Sequence, residues 1–251
     1  MTNFEVGSKT AKNGFKNEDD IVNKFNNWQK DKDAQEWLII MNYDLNEIEF
    51  VKAIKISGYK TDVQVQVTIK LKSSIDVQNI QVKLVSNPKG FNQIDKHLID
   101  HYVELWNIPE KITYFLKLYT GEIKPIFKIT KDKRRMLANE FSAEEQSIIL
   151  EWLRKNQSMI VSDLLKGRGK FAAEWFLVAQ KIHKNARWIL KPMNFCLNFF
   201  GNGEVKITPR GNFKIAKITM QRKGGDAGRK TANMLQFKIN PAELFDINNY
   251  L

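Results

Sequence analysis

Four positions in the 251-residue chain have the types and spacing for phosphodiester chemistry: Asp62, and then Gln81, Val82 and Lys83. A carboxylate supplies a hard anionic oxygen for Mg²⁺, a glutamine amide supplies a neutral second oxygen, and the backbone carbonyl of Val82 can be a third. An ammonium group at Lys83 would stabilise charge on a pentavalent phosphorus or position the attacking water. If residues 81–83 lie in a strand, period two puts Gln81 and Lys83 on one face and turns Val82 the other way, into a core. An acid followed by an amide, any residue and Lys also arises by chance in a lysine-rich chain. The competing reading makes Gln81 and Lys83 the solvent face of an edge strand, with Asp62 capping a turn. The elements that carry these residues decide between the two.

Val63, Val65, Val67, Ile69 and Leu71 alternate with Gln64, Gln66, Thr68, Lys70 and Lys72, the strongest strand pattern in the sequence. A second strand is predicted from about Val77 to Ser86, ended by the turn chemistry of Ser86-Asn87-Pro88-Lys89-Gly90. Adjacent strands of a small sheet bring Asp62 beside Gln81 and Lys83. Residues 18–31 read as an amphipathic helix with Glu18, Asp19 and Asp20 in its first turn, which makes Glu18 a candidate to support the metal ligands from behind. A further helix is expected over Asp33–Asn42 and another over Ile94–Trp106. Ala143–Leu164 reads as one or two helices, with Ser142 as N-cap and Glu145 completing a capping box. Strands resume at Glu174–Gln180, Arg187–Leu190, Val205–Thr208 and Phe213–Gln221, giving a mixed α+β body.

Forty Lys and Arg stand against 28 Asp and Glu, a net charge of +12, with 43% hydrophobic residues. The chain therefore has material for a core, and its charge suits a polyanionic partner. Its longest wholly apolar runs, Trp37–Met41 and Trp175–Ala179, are far too short to cross a bilayer, and Met1–Thr10 carries no signal-peptide core. No membrane association and a cytoplasmic location are expected. The single cysteine, Cys196, excludes an internal disulfide framework and multi-cysteine zinc sites, and between Phe195 and Leu197 it reads as packing. Residues 205–230 hold eight bases (Lys206, Arg210, Lys214, Lys217, Arg222, Lys223, Arg229 and Lys230) against one acid, Asp226. A basic strand pair with a glycine-rich loop brings ammonium heads and backbone amides to a phosphate backbone.

Other chemistries have weaker signatures. His97 and His101 are four apart on an expected helix, but Leu98 stands where a metalloprotease needs Glu, so a surface role is preferred to zinc. Gly167-Arg168-Gly169-Lys170 lacks phosphate-loop spacing, and no Gly-x-Ser-x-Gly elbow is present.

Thr61-Asp62, the eighteen intervening residues and Gln81-Val82-Lys83 are followed by Leu84-Val85-Ser86-Asn87 and Gly90-Phe91-Asn92-Gln93-Ile94-Asp95-Lys96-His97. In this succession the chain resembles the type II restriction endonucleases that recognise GCGC and cut after the first G, within the PD-(D/E)xK nuclease superfamily. The likeness runs nearly end to end, through Gly7–Lys12, Lys131–Met136, Phe171–Trp175, Gln221–Asp226 and Asn233–Lys238. It implies a restriction-endonuclease-like core with a small mixed sheet flanked by helices, all in one domain. That domain would comprise a catalytic core at about 1–110, a helical middle at about 111–170 and a DNA-recognition strand region at about 171–251. It also implies Mg²⁺-dependent hydrolysis of double-stranded DNA by Asp62, Gln81 and Lys83, with Asp62, Gln81 and the Val82 carbonyl holding the metal. Thr61 stands where the relative carries Ser. Phe91, Gln93 and Lys96 fall in the stretch that approaches the recognition bases, with Phe91 as a wedge between base steps or, alternatively, a core residue after a glycine turn. Gln221 and Lys223, flanking Arg222, match a Gln-x-Lys pair that reads bases in a structurally similar CCGG-cutting enzyme. The resemblance further implies a back-to-back homodimer. A repair or structure-specific nuclease on the same core, and a basic DNA-binding protein without catalysis, are the alternative functions.

Overall fold

Three strands in succession, β1 (Ile48–Ile56), β2 (Gln64–Leu71) and β3 (Ile75–Val85), form an antiparallel meander. Two later strands, β5 (Trp175–Ile182) and β6 (Asn185–Pro192), complete a five-stranded sheet in the order β1-β2-β3-β5-β6. β3 and β5 run parallel and β5 and β6 antiparallel, so β3 is the central strand of a mixed sheet. The structure, a computed structural model, describes residues 3–56, 64–87, 90–126, 130–182, 185–225 and 228–249. The chain divides into a first unit of Met1–Asn92, Leu165–Cys196 and Asn240–Leu251 and a second of Gln93–Leu164 and Leu197–Ile239.

In the first unit, helices α1 (Asn3–Asn26) and α2 (Lys32–Ile40) cover one face of this sheet. The valines and isoleucines of the alternating segment supply the sheet side of the core: Val65, Val67, Ile69, Ile80, Val82 and Leu177 are buried against Ile21, Phe25, Trp37 and Leu38. Ile21 and Phe25 are four apart on α1, so both fall on the side that meets the sheet. Asp31 starts α2 by accepting from the Ala34 amide at 3.0 Å, and Lys24 closes on both Asp31 and Asp33.

The second unit contains a five-stranded sheet, ordered β4-β10-β9-β8-β7, from β4 (Asn92–His97), β7 (Val205–Ile207), β8 (Phe213–Ile215), β9 (Ile218–Arg222) and β10 (Leu235–Ile239), in which β7 to β10 pair antiparallel. Its helices are α3 (Ile99–Trp106), α4 (Glu110–Thr120), α5 (Ala143–Lys155) and α6 (Gln157–Leu165), and α7 (Met193–Gly201) spans the sequence boundary between the units. Tyr102, Trp106 and Phe237 pack as an aromatic cluster, and Tyr119 meets Phe213 edge to face at 5.0 Å. The Ser142–Glu145 capping box forms in both directions, at 3.2 and 2.8 Å.

Three expected elements differ from those found, the first being the helix expected over residues 18–31, which runs from Asn3 to Asn26, so that Glu18, Asp19 and Asp20 lie within it and not in its first turn. The helix expected over Ile94–Trp106 begins only at Ile99, because Asn92–His97 is taken up as β4 by a partner, β10, some 140 residues away in sequence that no local pattern reveals. His97 and His101 consequently sit on different elements, with their rings stacked 3.8 Å apart. The strand expected over Phe213–Gln221 is a hairpin, β8 and β9, turning at Ala216-Lys217 with Ala216 at a φ of 50°. Cys196 is buried, and desolvation pushes its thiol up to about 12. Among the described residues, no helix is long and apolar enough to cross a membrane.

Candidate functional site

Gln81 and Lys83 lie on the central strand β3, not on an edge. Gln81 pairs with Gln64 on β2 and Phe176 on β5, and Lys83 stands beside Val178. Although polar, they are only 1% and 5% exposed, while Val82 between them faces the helix-covered core. Burying an amide and an ammonium on the middle strand costs free energy that a surface site would not, so residues of this kind usually have work to do there. Asn79, two residues earlier on the same side, pins β3 to the approach of β5: its Nδ2 donates to the carbonyls of Lys170 and Ala172 at 3.0 and 3.3 Å, and its Oδ1 accepts from Gln66 at 3.0 Å. Its backbone N–H donates to Glu174 at 3.1 Å. Asp62 and Thr61 lie outside the described residues. The β2–β3 ladder is described as far as Gln64 opposite Gln81, and Asp62 precedes Gln64 by two positions in the sequence.

Glu18 is buried on α1, three residues before Ile21 on the side toward the sheet. Beside it both side-chain polar atoms of Asn17 are buried without a hydrogen-bond partner among the described residues. A cleft of about 620 Å³ opens here, lined by Lys16, Asn17, Asp20, Leu84 and Lys181. Leu84 alternates with Lys83, so this cleft is on the helix side of the sheet and Gln81 and Lys83 belong to the opposite face.

In the second unit, strands β7 to β10 give the sheet one apolar and one polar face. Phe213, Ile215, Ile218, Met220, Leu235 and Phe237 fill the first. On the other, Lys206, Lys214, Thr219 and Lys238 form one cross-strand row, and Gln221 lies opposite Gln236 in the next. Lys206 stands directly opposite Lys214, with its ammonium 3.4 Å from Glu204 Oε2. Burial holds the Lys238 ammonium below the ordinary lysine range. Neither Gln236 nor Lys238 stood out in the sequence reading, although the alternation Leu235-Gln-Phe-Lys-Ile239 was a usable signal.

The structure joins two of the expected readers. Gln236 Nε2 donates to Gln93 Oε1 at 2.6 Å, and Gln221 Nε2 donates to Gln236 Oε1 at 3.4 Å, a chain of three amides across β4, β10 and β9. Strand alternation sets Lys96 on the side of Ile94, away from Gln93. Arg222 likewise alternates away from Gln221 and Lys223, and its guanidinium donates to Asn233 at 2.7 Å. Lys223 follows β9 with its backbone held to Met234 at 2.8 Å. Phe91 is 62% exposed, which removes the core alternative for it. It follows Gly90, whose φ of 62° and 2.0 Å gap from an ideal Cβ to Asn240 Oδ1 admit only glycine without rearrangement.

The sequence matches the family model described as R.HinP1I restriction endonuclease over residues 41–245. The chain belongs to that family. It is accordingly a type II site-specific nuclease and binds DNA. Among solved structures the fold is similar to that of restriction endonuclease MspI in complex with its cognate DNA, with a TM-score of 0.64 and 15% sequence identity over 95% of this chain and 93% of that one. At that identity the likeness concerns the fold, and the expected restriction-endonuclease-like α+β architecture is the one found. A search of curated proteins gives no match.

Proposed function

We propose that this R.HinP1I-family chain hydrolyses double-stranded DNA at GCGC with Mg²⁺, as the cleaving partner of a restriction-modification system. The observation that carries the proposal is the pair Gln81 and Lys83, buried side by side on one face of the central strand of a restriction-endonuclease-like sheet. In this reading Asp62, Gln81 and the Val82 carbonyl hold the metal. The donor set fits a hard cation: two neutral oxygens come from adjacent residues of β3, the third is a carboxylate, and no soft ligand is among them. Bound Mg²⁺ would polarise the scissile phosphate and lower the pKa of its attacking water. Lys83 holds a fixed cation where negative charge develops on phosphorus as the P–O3′ bond breaks, leaving a 5′-phosphate and a 3′-hydroxyl. Thr61 contributes a hydroxyl toward the phosphate backbone, whereas Glu18, on the helix-covered side of the sheet, is left out of this set.

Sequence reading falls to the second unit. Guanine offers O6 and N7 as acceptors in the major groove, which suits Lys223 and an amide N–H, while the amine of cytosine needs an acceptor such as a glutamine oxygen; Lys96, on the other side of β4 from Gln93, is assigned no base. Gln93 and Gln221 can serve both bases. Arg222 neighbours them as a basic group, and Phe91, exposed directly after Gly90, is suited to wedge between base steps. The back-to-back homodimer belongs to the same proposal.

Plasmid digestion tests this reading. Discrete fragments that require Mg²⁺, end in 5′-phosphates at GCGC and disappear when GCGC is methylated are the expected result. A smear, nicking at branched junctions only, or a gel shift with no cleavage would replace it with the repair-nuclease or binding-only alternatives.

A further inference from the structure

A metal ligand without charge of its own depends on being held in place: a carboxylate draws a cation to itself, whereas an amide oxygen holds Mg²⁺ only where the near-octahedral geometry of the ion is met. What holds Gln81 in place begins one rung earlier on the same face of β3, about 7 Å away, at Asn79. Asn79 is only 6% exposed and joins three stretches of chain. Its Nδ2 donates to the carbonyls of Lys170 and Ala172, and its Oδ1 accepts from Gln66 of β2. Two carbonyls can only accept, so the amide has one orientation: exchanging its ends would set oxygen against both. Residues 170 and 172 belong to a turn that leads into β5 from Gly167 and Gly169, at φ of 77° and 72°, and a segment with two such glycines is held in a single position by contacts from outside it. The next rung of the sheet is Gln64, Gln81 and Phe176, so the clasp at Asn79 ties the strands on both sides of Gln81 just before its row. The Asn79 backbone is joined separately to Glu174, through its carbonyl at 2.8 Å and its N–H at 3.1 Å, so the side chain can be changed without undoing the pairing of β3 with β5.

We propose that Asn79 is a positioning residue for the metal-binding oxygen of Gln81, clasping β2 and the approach to β5 on either side of β3 so that this oxygen is held in one place for the cation. The inference rests on the metal role proposed above for Gln81. Asn79 need touch neither the metal nor DNA. Groups that orient the ligands of a metal without binding it themselves are typically worth about 10- to 100-fold in affinity.

The experiment measures Mg²⁺ binding by calorimetry on the full chain bound to a GCGC duplex with a non-hydrolysable scissile linkage, so that affinity is read without cleavage. Asn79→Leu, close in volume and unable to hydrogen-bond, is expected to weaken Mg²⁺ binding about tenfold or more, while affinity for the duplex in the absence of metal stays within a few fold. Gln66→Met breaks only the β2 side of the clasp, at a half-buried position, and should weaken Mg²⁺ binding in the same direction by less. It decides the matter should Asn79→Leu fail to fold. Each change is then repeated in Gln81→Ala. With the ligand gone, neither should weaken Mg²⁺ binding further, a coupling that a general loss of packing would not produce. Unchanged Mg²⁺ affinity in Asn79→Leu, or in Gln66→Met where the first variant does not fold, would overturn the role of Asn79 while leaving Gln81 as a ligand. So would an equal loss with and without Gln81. Unchanged Mg²⁺ affinity in Gln81→Ala itself would overturn the ligand role and, with it, this one.

Discussion

Gln81 occupies a position where a second carboxylate would bind a divalent cation more strongly, and the choice of an amide has measurable consequences. Exchanging Gln81 for Glu adds a charged oxygen at a residue only 1% exposed, where attraction to a cation is poorly screened. If Gln81 is a direct ligand, the Mg²⁺ concentration for half-maximal cleavage should fall in Gln81→Glu. Superimposable Mg²⁺ titrations of variant and unaltered protein would remove Gln81 from the metal site. Period two in the sequence was enough to place Gln81 and Lys83 on one side and Val82 in the core. Their burial was not legible there, because it depends on β5 lying parallel to β3, and the two strands are joined through about ninety residues. The hydrogen bonds among Gln221, Gln236 and Gln93 were hidden for a related reason, since they form only when β9, β10 and β4 are paired.

At the scale of elements, the start of α3 offers a test of how the second unit holds its edge. Glu122 Oε1 accepts from the Ile99 backbone N–H at 3.0 Å and from Thr120 Oγ1 at 3.1 Å. Burial raises the pKa of this carboxyl above the ordinary glutamate value despite those hydrogen bonds. A carboxyl whose pKa is higher in the folded than in the unfolded state stabilises the fold fully below its unfolded value, and that contribution is lost as pH rises through the folded value. At neutral pH the ionised Glu122 is therefore a cost, and Glu122→Gln, which keeps the accepting oxygen, should melt at a higher temperature than the unaltered chain at pH 7. The advantage should vanish near pH 4. Equal melting temperatures across this range, or a variant less stable at pH 7, would contradict the burial argument. The neighbouring β4 shows where local reading stops. Ile94 to Trp106 has helix-compatible spacing throughout, yet its first four residues gain more by pairing with β10 than by extending α3. By contrast, β2, α5 and the capping box at Ser142 were all readable, since their signals lie within one element.

For the whole molecule, the net charge of +12 and the lysine row Lys206, Lys214 and Lys238 on the polar face predict binding governed by phosphate contacts. With six to ten such contacts, affinity for duplex DNA should fall by about 10³ to 10⁵ between 50 and 200 mM salt. A flat salt response would refute that face as the DNA surface. Within it, Lys214→Ala should weaken all sequences alike, whereas Lys223→Ala should lose roughly 1–3 kcal/mol of discrimination at one base pair. The central claim is that cleavage depends on a buried cation on β3 which contributes little to holding DNA. Cleavage and binding of a GCGC duplex by Lys83→Met, measured side by side, test it most directly. Methionine preserves the aliphatic volume on the central strand and removes only the charge. Binding should remain within a few fold, and single-turnover cleavage in Mg²⁺ should fall by about 10² or more. Cleavage at the unaltered rate, or a loss of cleavage matched by an equal loss of binding, would contradict the assignment.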